Sequence, residues 1–177
     1  LTRLVTVVGN PAVKFVVLAL ALILLMPSAA EADFEAGKVA ANRGDYATAY
    51  KEFMALAVES NIRAQHNIAV IYEQGLGRPK DLVMAGKWYQ SAARQGLTNS
   101  QNNLGGLYRK GKGVPQDYVK AFYWFSKAAI QGHGLAQKNL GDLYRKGQGV
   151  KKDNAAALKW YRASAEKGQA WGQLSLG

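Results

Sequence analysis

The chain has 177 residues, of which 49% are hydrophobic and 20% charged, enough apolar side chains to bury a core and too few charges for a disordered polymer. It carries 23 Lys and Arg against 12 Asp and Glu, a formal net charge of +11, which favours acidic partners or an anionic surface. There is no cysteine, so a disulfide framework, a thiol nucleophile and a Cys-ligated zinc site are all excluded.

Residues 1–32 have the organisation of a secretory signal peptide. Arg3 and Lys14 precede an unbroken apolar run from Phe15 to Met26, followed by Pro27 and small residues. The run is shorter than the roughly 20 apolar residues a spanning helix needs. Ala30-Glu31-Ala32 supplies small residues at the first and third positions before a cut, which places cleavage after Ala32. The competing reading is an uncleaved anchor extended upstream through Leu4 to Val8, an extension that Gly9, Asn10, Pro11 and Lys14 interrupt. Cleavage leaves a chain with no membrane span, exported to the periplasm or secreted.

Residues 33–63 are predicted to form a capping helical hairpin. Asp45, Ala49 and Phe53 are spaced like Asp81, Ala85 and Tyr89 further on, and Gly44-Asp45-Tyr46 marks a short turn between the two helices.

From Ala64 the chain repeats every 36 residues without an insertion through residue 171, in three units. Gln65, Gln101 and Gln137 fall in one column, Asn67, Asn103 and Asn139 in another, and Tyr72, Tyr108 and Tyr144 in a third. Trp88, Trp124 and Trp160 align, as do Tyr89, Phe125 and Tyr161. Leu104, Leu107 and Tyr108 lie at helical spacing, and so do Ala121, Trp124, Phe125 and Ala128, so each unit is predicted to be two short amphipathic helices. Gly-x-Gly at 75–77, 111–113 and 147–149 supplies left-handed backbone after the first helix, and Asp81, Asp117 and Asp153 cap the second. Small residues at Ala69, Gly105 and Gly141 allow close helix approach, while the Trp and Tyr columns fill the space between units. Residues 172–177 begin a fourth unit whose first helix is expected to fray. Trp171, Leu174 and Leu176 at that open end suggest self-association.

The pattern Ala-Gln-x-Asn-Leu-Gly-x-Leu-Tyr-x-x-Gly-x-Gly-Val-x-x-Asp, followed by Ala-x-x-Trp-Tyr and Gly, resembles the Sel-one-like repeat (SLR), a relative of the tetratricopeptide repeat, over Ile62 to Gly177. Asn42 to Phe53 looks more like a tetratricopeptide hairpin. The resemblance implies an all-α, right-handed superhelix of helical hairpins, with a concave groove used as an adaptor for protein complexes and in bacteria often exported. By the same analogy the groove is lined by the variable residues of each first helix. These are His66, Asn67, Val70 and Glu73, then Asn102, Asn103, Gly106, Arg109 and Lys110, then Lys138, Asn139, Asp142, Arg145 and Lys146. The last two rows are basic, and long cations beside amide donors suit carboxylates or an acidic peptide segment. The structural alternative is that Arg109, Lys110, Arg145 and Lys146 only solvate helix ends and complement the dipole.

Other motifs carry less. Gly106 to Lys112 imitates a phosphate-binding loop, but Gly113 stands where a Ser or Thr would hold magnesium, and the segment belongs to a helix and its exit turn. Ser164-x-x-Lys167 matches the acylation motif of penicillin-recognising enzymes, without Ser-Asp-Asn or Lys-Thr-Gly anywhere in the chain. His66 and His133 lie in different columns without metal-ligand spacing. The reading that results is a non-enzymatic exported adaptor, without cofactor, binding an acidic or extended segment of a partner protein. The alternatives are an anionic cell-envelope polymer such as peptidoglycan as partner, and a β-lactam-recognising hydrolase. Nucleic acid suits the charge but not the export signal.

Overall fold

The computed structural model describes residues 29–166, and these form an all-α repeat superhelix of eight helices. They are α1 (Ala29–Asn42), α2 (Tyr46–Val58), α3 (Ile62–Gln74), α4 (Leu82–Arg94), α5 (Thr98–Lys110), α6 (Tyr118–Ile130), α7 (Gly134–Lys146) and α8 (Asn154–Glu166). Each packs on its sequence neighbours, giving hairpins α1/α2, α3/α4, α5/α6 and α7/α8. The apolar leader, Lys167, Trp171 and the start of the fourth unit lie outside the described residues. α1 begins at Ala29 and runs unbroken across the expected cleavage position at Ala32. Among the described residues no helix is long and apolar enough to cross a membrane.

The repeat columns become equivalent contacts. On the first helix of each unit the buried residues recur at one register: Ala64, Gln65 and Ile68 on α3, Ser100, Gln101 and Leu104 on α5, Ala136, Gln137 and Leu140 on α7. Gly75, Gly111 and Gly147 end these helices in left-handed conformation, their amides bonding back into the last turn. The connectors then close alike: Asp81, Asp117 and Asp153 donate backbone N–H to the carbonyls of Tyr72, Tyr108 and Tyr144. The same aspartates cap the second helices, their carboxylates accepting amides at Val83 and Met84, at Lys120 and at Ala156. Asp45 does this for α2 through the amide of Thr48.

The Tyr/Phe column works inside its own hairpin as well as between units. A Cβ on Gly105 would stand 2.8 Å from the Phe125 ring, one on Gly141 2.7 Å from the Tyr161 ring, and one on Gly37 2.7 Å from Phe53. The aromatic ring therefore lies directly on the backbone of the first helix. Tyr89 and Phe125 also join the cores of the following units, beside Leu104 and Leu140 respectively. The tryptophan column fills the seam with the preceding unit, where Trp124 packs with Ala69, Tyr89 and Leu104.

A second glycine contact fixes the spacing between units. The last glycine of each connector rests on the start of the preceding second helix: Gly77 on Tyr46, Gly113 on Leu82, Gly149 on Tyr118. A Cβ at Gly113 or Gly149 would fall 2.1 Å from a backbone carbonyl oxygen, which cannot move aside, and both residues have positive φ. Gly96 also has positive φ, with open space where a Cβ would go. Gly96→Ala is accordingly expected to cost about 1–2 kcal/mol, the left-handed penalty alone. Gly113→Ala adds forced displacement of a neighbouring helix, for a total of roughly 3 kcal/mol or more. Urea denaturation of the two variants side by side measures the difference.

Candidate functional site

The first helices of successive units meet through side chains. Asn139 Nδ2 donates to Asn102 Oδ1 at 3.1 Å, and Asn102 Nδ2 to Asn103 Oδ1 at 3.3 Å. Arg109 Nη1 donates to Asn139 Oδ1 at 3.0 Å and lies 3.9 Å from the Asp142 carboxylate. Asp142 also accepts from Lys138 Nζ at 2.6 Å and from the Tyr161 hydroxyl at 2.8 Å. Its side chain is only 14% exposed, so these donors replace the water it has lost.

The position of Arg109 shows how each unit handles its charge. In the first unit it is Glu73, which accepts from the Tyr89 hydroxyl at 2.6 Å; burial and that carboxylate push the phenol far above its usual range, so it remains a donor. In the third it is Arg145, whose Nε donates to the Tyr161 hydroxyl at 3.3 Å. In the second unit the partner ring is Phe125, with no hydroxyl. Arg109 sits over that ring at 5.5 Å and reaches instead to Asn139 and Asp142 of the next unit.

Between these groups lies a cleft of about 300 Å³. Asn102, Asn103, Arg109, Lys110 and Asn139 of the expected groove set line it together. Asn102 and Asn139 are buried and form its floor, whereas Lys110 is exposed at its mouth. Lys138 is tied to Asp142 beside it, Arg145 and Lys146 stand one unit further on, and Asn67 lines a separate depression with Lys38 and Tyr46. Sequence reasoning missed Lys80, Lys112, Leu82 and Leu135, which complete the cleft. The signal for the lysines was their place beside the connector glycines; Leu135 could have been found as an apolar residue where the two preceding units carry Arg63 and Asn99. The lining holds four cations, Lys80, Arg109, Lys110 and Lys112, against one carboxylate, Glu73, so the cleft is electropositive. A larger, more open depression of about 850 Å³ lies at the connector edge by Arg78, but that guanidinium is engaged by the Tyr50 ring and the Tyr72 hydroxyl.

The histidines and Ser164 have structural partners. His66 Nδ1 lies 2.8 Å from the buried Ser100 hydroxyl, linking α3 to α5. His133 caps α7, Nδ1 accepting from the Ala136 amide, while Nε2 bonds Asn99 Oδ1 on α5 at 3.0 Å. Burial lowers both imidazole pKa values below 6.5, against an opposing pull from Glu73 at His66. Ser164 is buried and donates to the Gly134 carbonyl at 2.8 Å.

Three consecutive segments, residues 62–97, 98–133 and 134–169, match the model of the Sel1 repeat. Among solved structures the chain is similar to a protective antigen present in uropathogenic Escherichia coli strains and displaying an SLR fold, with 36% identity and a TM-score of 0.79 over 83% of this chain and 32% of that one. It is similar also to a Sel1 repeat protein from Oxalobacter formigenes, with 35% identity and a TM-score of 0.77 over 81% of this chain and 59% of that one. The cysteine rich protein B of Helicobacter pylori shares the fold, at 21% identity and a TM-score of 0.52 over 69% of this chain and 93% of that one. The chain thus spans about a third of the first relative's length and under two thirds of the second's. No curated protein sequence matches it significantly.

The two imidazoles at unit junctions give stability a pH dependence of known sign. Their folded pKa values are depressed, so between those values and 6.5 the unfolded chain binds more protons than the folded one. Stability is full above pH 6.5 and declines as pH falls below it. Protonation of His133 also removes the lone pair that caps α7. His133→Asn, which puts at α7 the residue that caps α3 at Asn61, is expected to keep the cap and flatten the decline, as urea titrations at pH 7.5 and 5.5 would report.

Proposed function

The chain belongs to the Sel1 repeat family, and we propose that it is an adaptor that binds an acidic, extended segment of a partner protein along the face formed by its first helices. Sel1-repeat proteins generally mediate protein–protein interactions, and the fold is typically a non-catalytic scaffold. The observation that carries the finer reading is the electropositive cleft at the junction of the second and third units, where Lys110 and Lys112 are exposed beside amides already fixed by the Asn102–Asn139 ladder. Cations held against a rigid polar floor lose little on receiving a carboxylate. Burial of Ser164 and of both its neighbours in that column, Ala92 and Ala128, supports a packing role there rather than catalysis. The apolar run Phe15–Met26 and its small-residue flank support export to the periplasm or beyond.

Arg109 belongs to the internal network, so it is a poor test position. Lys110 and Lys112 are exposed and can be reversed without loss of a packed contact. Affinity capture from a native cell-envelope extract, with residues 33–177 as bait, is expected to retain a protein that moderate salt releases, and K110E/K112E is expected to retain at least tenfold less. Retention indifferent to the double reversal would move the interface to another face, and recovery of cell-wall glycan alone would replace the protein partner by the polymer.

A further inference from the structure

We infer that the cleft is centred on Gly106 and is a subsite for one apolar side chain of the partner segment, held between carboxylates that meet Lys110 and Lys112. The inference rests on the acidic-segment reading and adds to it the residue type that the segment must carry.

Glycine in a helix interior needs a reason, because it disfavours the helix more than any residue except proline. Gly37, Gly86, Gly105 and Gly141 each have one: side-chain atoms of a neighbouring helix or connector stand within 3.4 Å of where a Cβ would be. Gly106 has no neighbour within 4 Å of that point. Packing therefore does not require it, and the equivalent positions in the flanking units carry side chains, Val70 and Asp142. In the middle unit alone of these three the position is vacant, and the vacancy opens into the cleft.

Gly106 is flanked on its own helix by Asn102, Asn103, Arg109 and Lys110, and the apolar part of the lining comes from three leucines. Leu107 is buried, Leu82 is half-buried, and Leu135 is 42% exposed. Leu135 stands where the two preceding units carry Arg63 and Asn99, Gly106 stands where the flanking units carry Val70 and Asp142, and both line one volume of about 300 Å³. That volume accepts a leucine- or phenylalanine-sized group, and its cationic rim selects carboxylates on the residues before and after it.

Fluorescence anisotropy with three labelled peptides separates the parts: glutamates flanking one leucine, the same peptide with serine for leucine, and the leucine peptide with glutamines for glutamates. Wild-type protein is expected to bind the first at least tenfold more tightly than either of the others. Gly106→Ala is expected to raise Tm by about 2–4 °C, and Gly106→Leu to leave it unchanged or higher, because each replaces a helix-breaking residue at a point where a Cβ meets nothing within 4 Å and the cleft lies beyond. Gly106→Leu is expected to bind the leucine peptide no better than the serine peptide. Equal wild-type affinity for the leucine and serine peptides, or undiminished leucine-peptide binding by Gly106→Leu, overturns the subsite and leaves the acidic-segment reading standing. Equal affinity for the glutamate and glutamine peptides, or no binding of any of them, overturns that reading and the subsite with it.

Discussion

Two glycine contacts fix the geometry on which everything else depends. In the first, an aromatic ring from the second helix lies on a glycine of the first, at Gly37 with Phe53, Gly105 with Phe125 and Gly141 with Tyr161. In the second, the last connector glycine touches the start of the preceding second helix, at Gly77, Gly113 and Gly149. One sets the distance within a hairpin and the other the distance between hairpins. The capping hairpin shows that they are separable. Gly37 and Phe53 keep the ring contact at a spacing of 16 residues instead of the 20 that separate Gly105 and Phe125, because a shorter turn through Gly44 replaces the Gly-x-Gly connector.

With the spacing fixed, buried polar groups can be satisfied from one unit to the next. Gln65, Gln101 and Gln137 each donate through Nε2 to the carbonyl of Ala57, Ala93 and Ala129, at the C-terminal ends of the preceding second helices. Those carbonyls also accept the exit-turn amides of Ser60, Gly96 and Gly132, so the glutamine of the next unit takes a second acceptor site and ties the helix end to that unit. Gln95 and Gln131 in turn donate to the Oε1 of Gln65 and Gln101. A buried glutamine column is thus a structural signature of stacking rather than a sign of a ligand. The same reasoning places His66 and His133 among the stacking contacts, since each joins its unit to a residue of α5.

Most of the fold was legible in the 36-residue period, because a repeat places the same physical requirement on each row and chance does not produce so many agreeing columns. Gly75, Gly111 and Gly147 as left-handed caps and Asp81, Asp117 and Asp153 as helix starts followed from residue type alone. The site was legible in part. The variable positions of the first helices did converge at Asn102, Asn103, Arg109, Lys110 and Asn139, but sequence could not tell which were already bonded to one another. Asn102 and Asn139 read as free amides and are buried partners. Lys80 and Lys112 lie on connectors, where distance in sequence from the first helix conceals proximity in space.

A repeat protein also supplies its own controls, and these show how a single atom redirects a site. The second-helix ring carries a hydroxyl in Tyr89 and in Tyr161 but not in Phe125, and each hydroxyl holds the first-helix residue opposite it within the hairpin, Glu73 or Arg145. Without that oxygen Arg109 bonds across the junction to Asn139 and approaches Asp142, so the middle unit is tied to the next by a position whose counterparts, Glu73 and Arg145, bond within their own hairpins. The tie draws Asp142 into compensating Arg109 and Lys138, and Lys110 and Lys112 stand exposed on the rim beside Lys80 and Arg109. Exposed cations, an unfilled Gly106 and an exposed Leu135 thus coincide at the junction where the hydrogen-bonding pattern departs from that of the flanking units, which is why the proposed docking site is placed there.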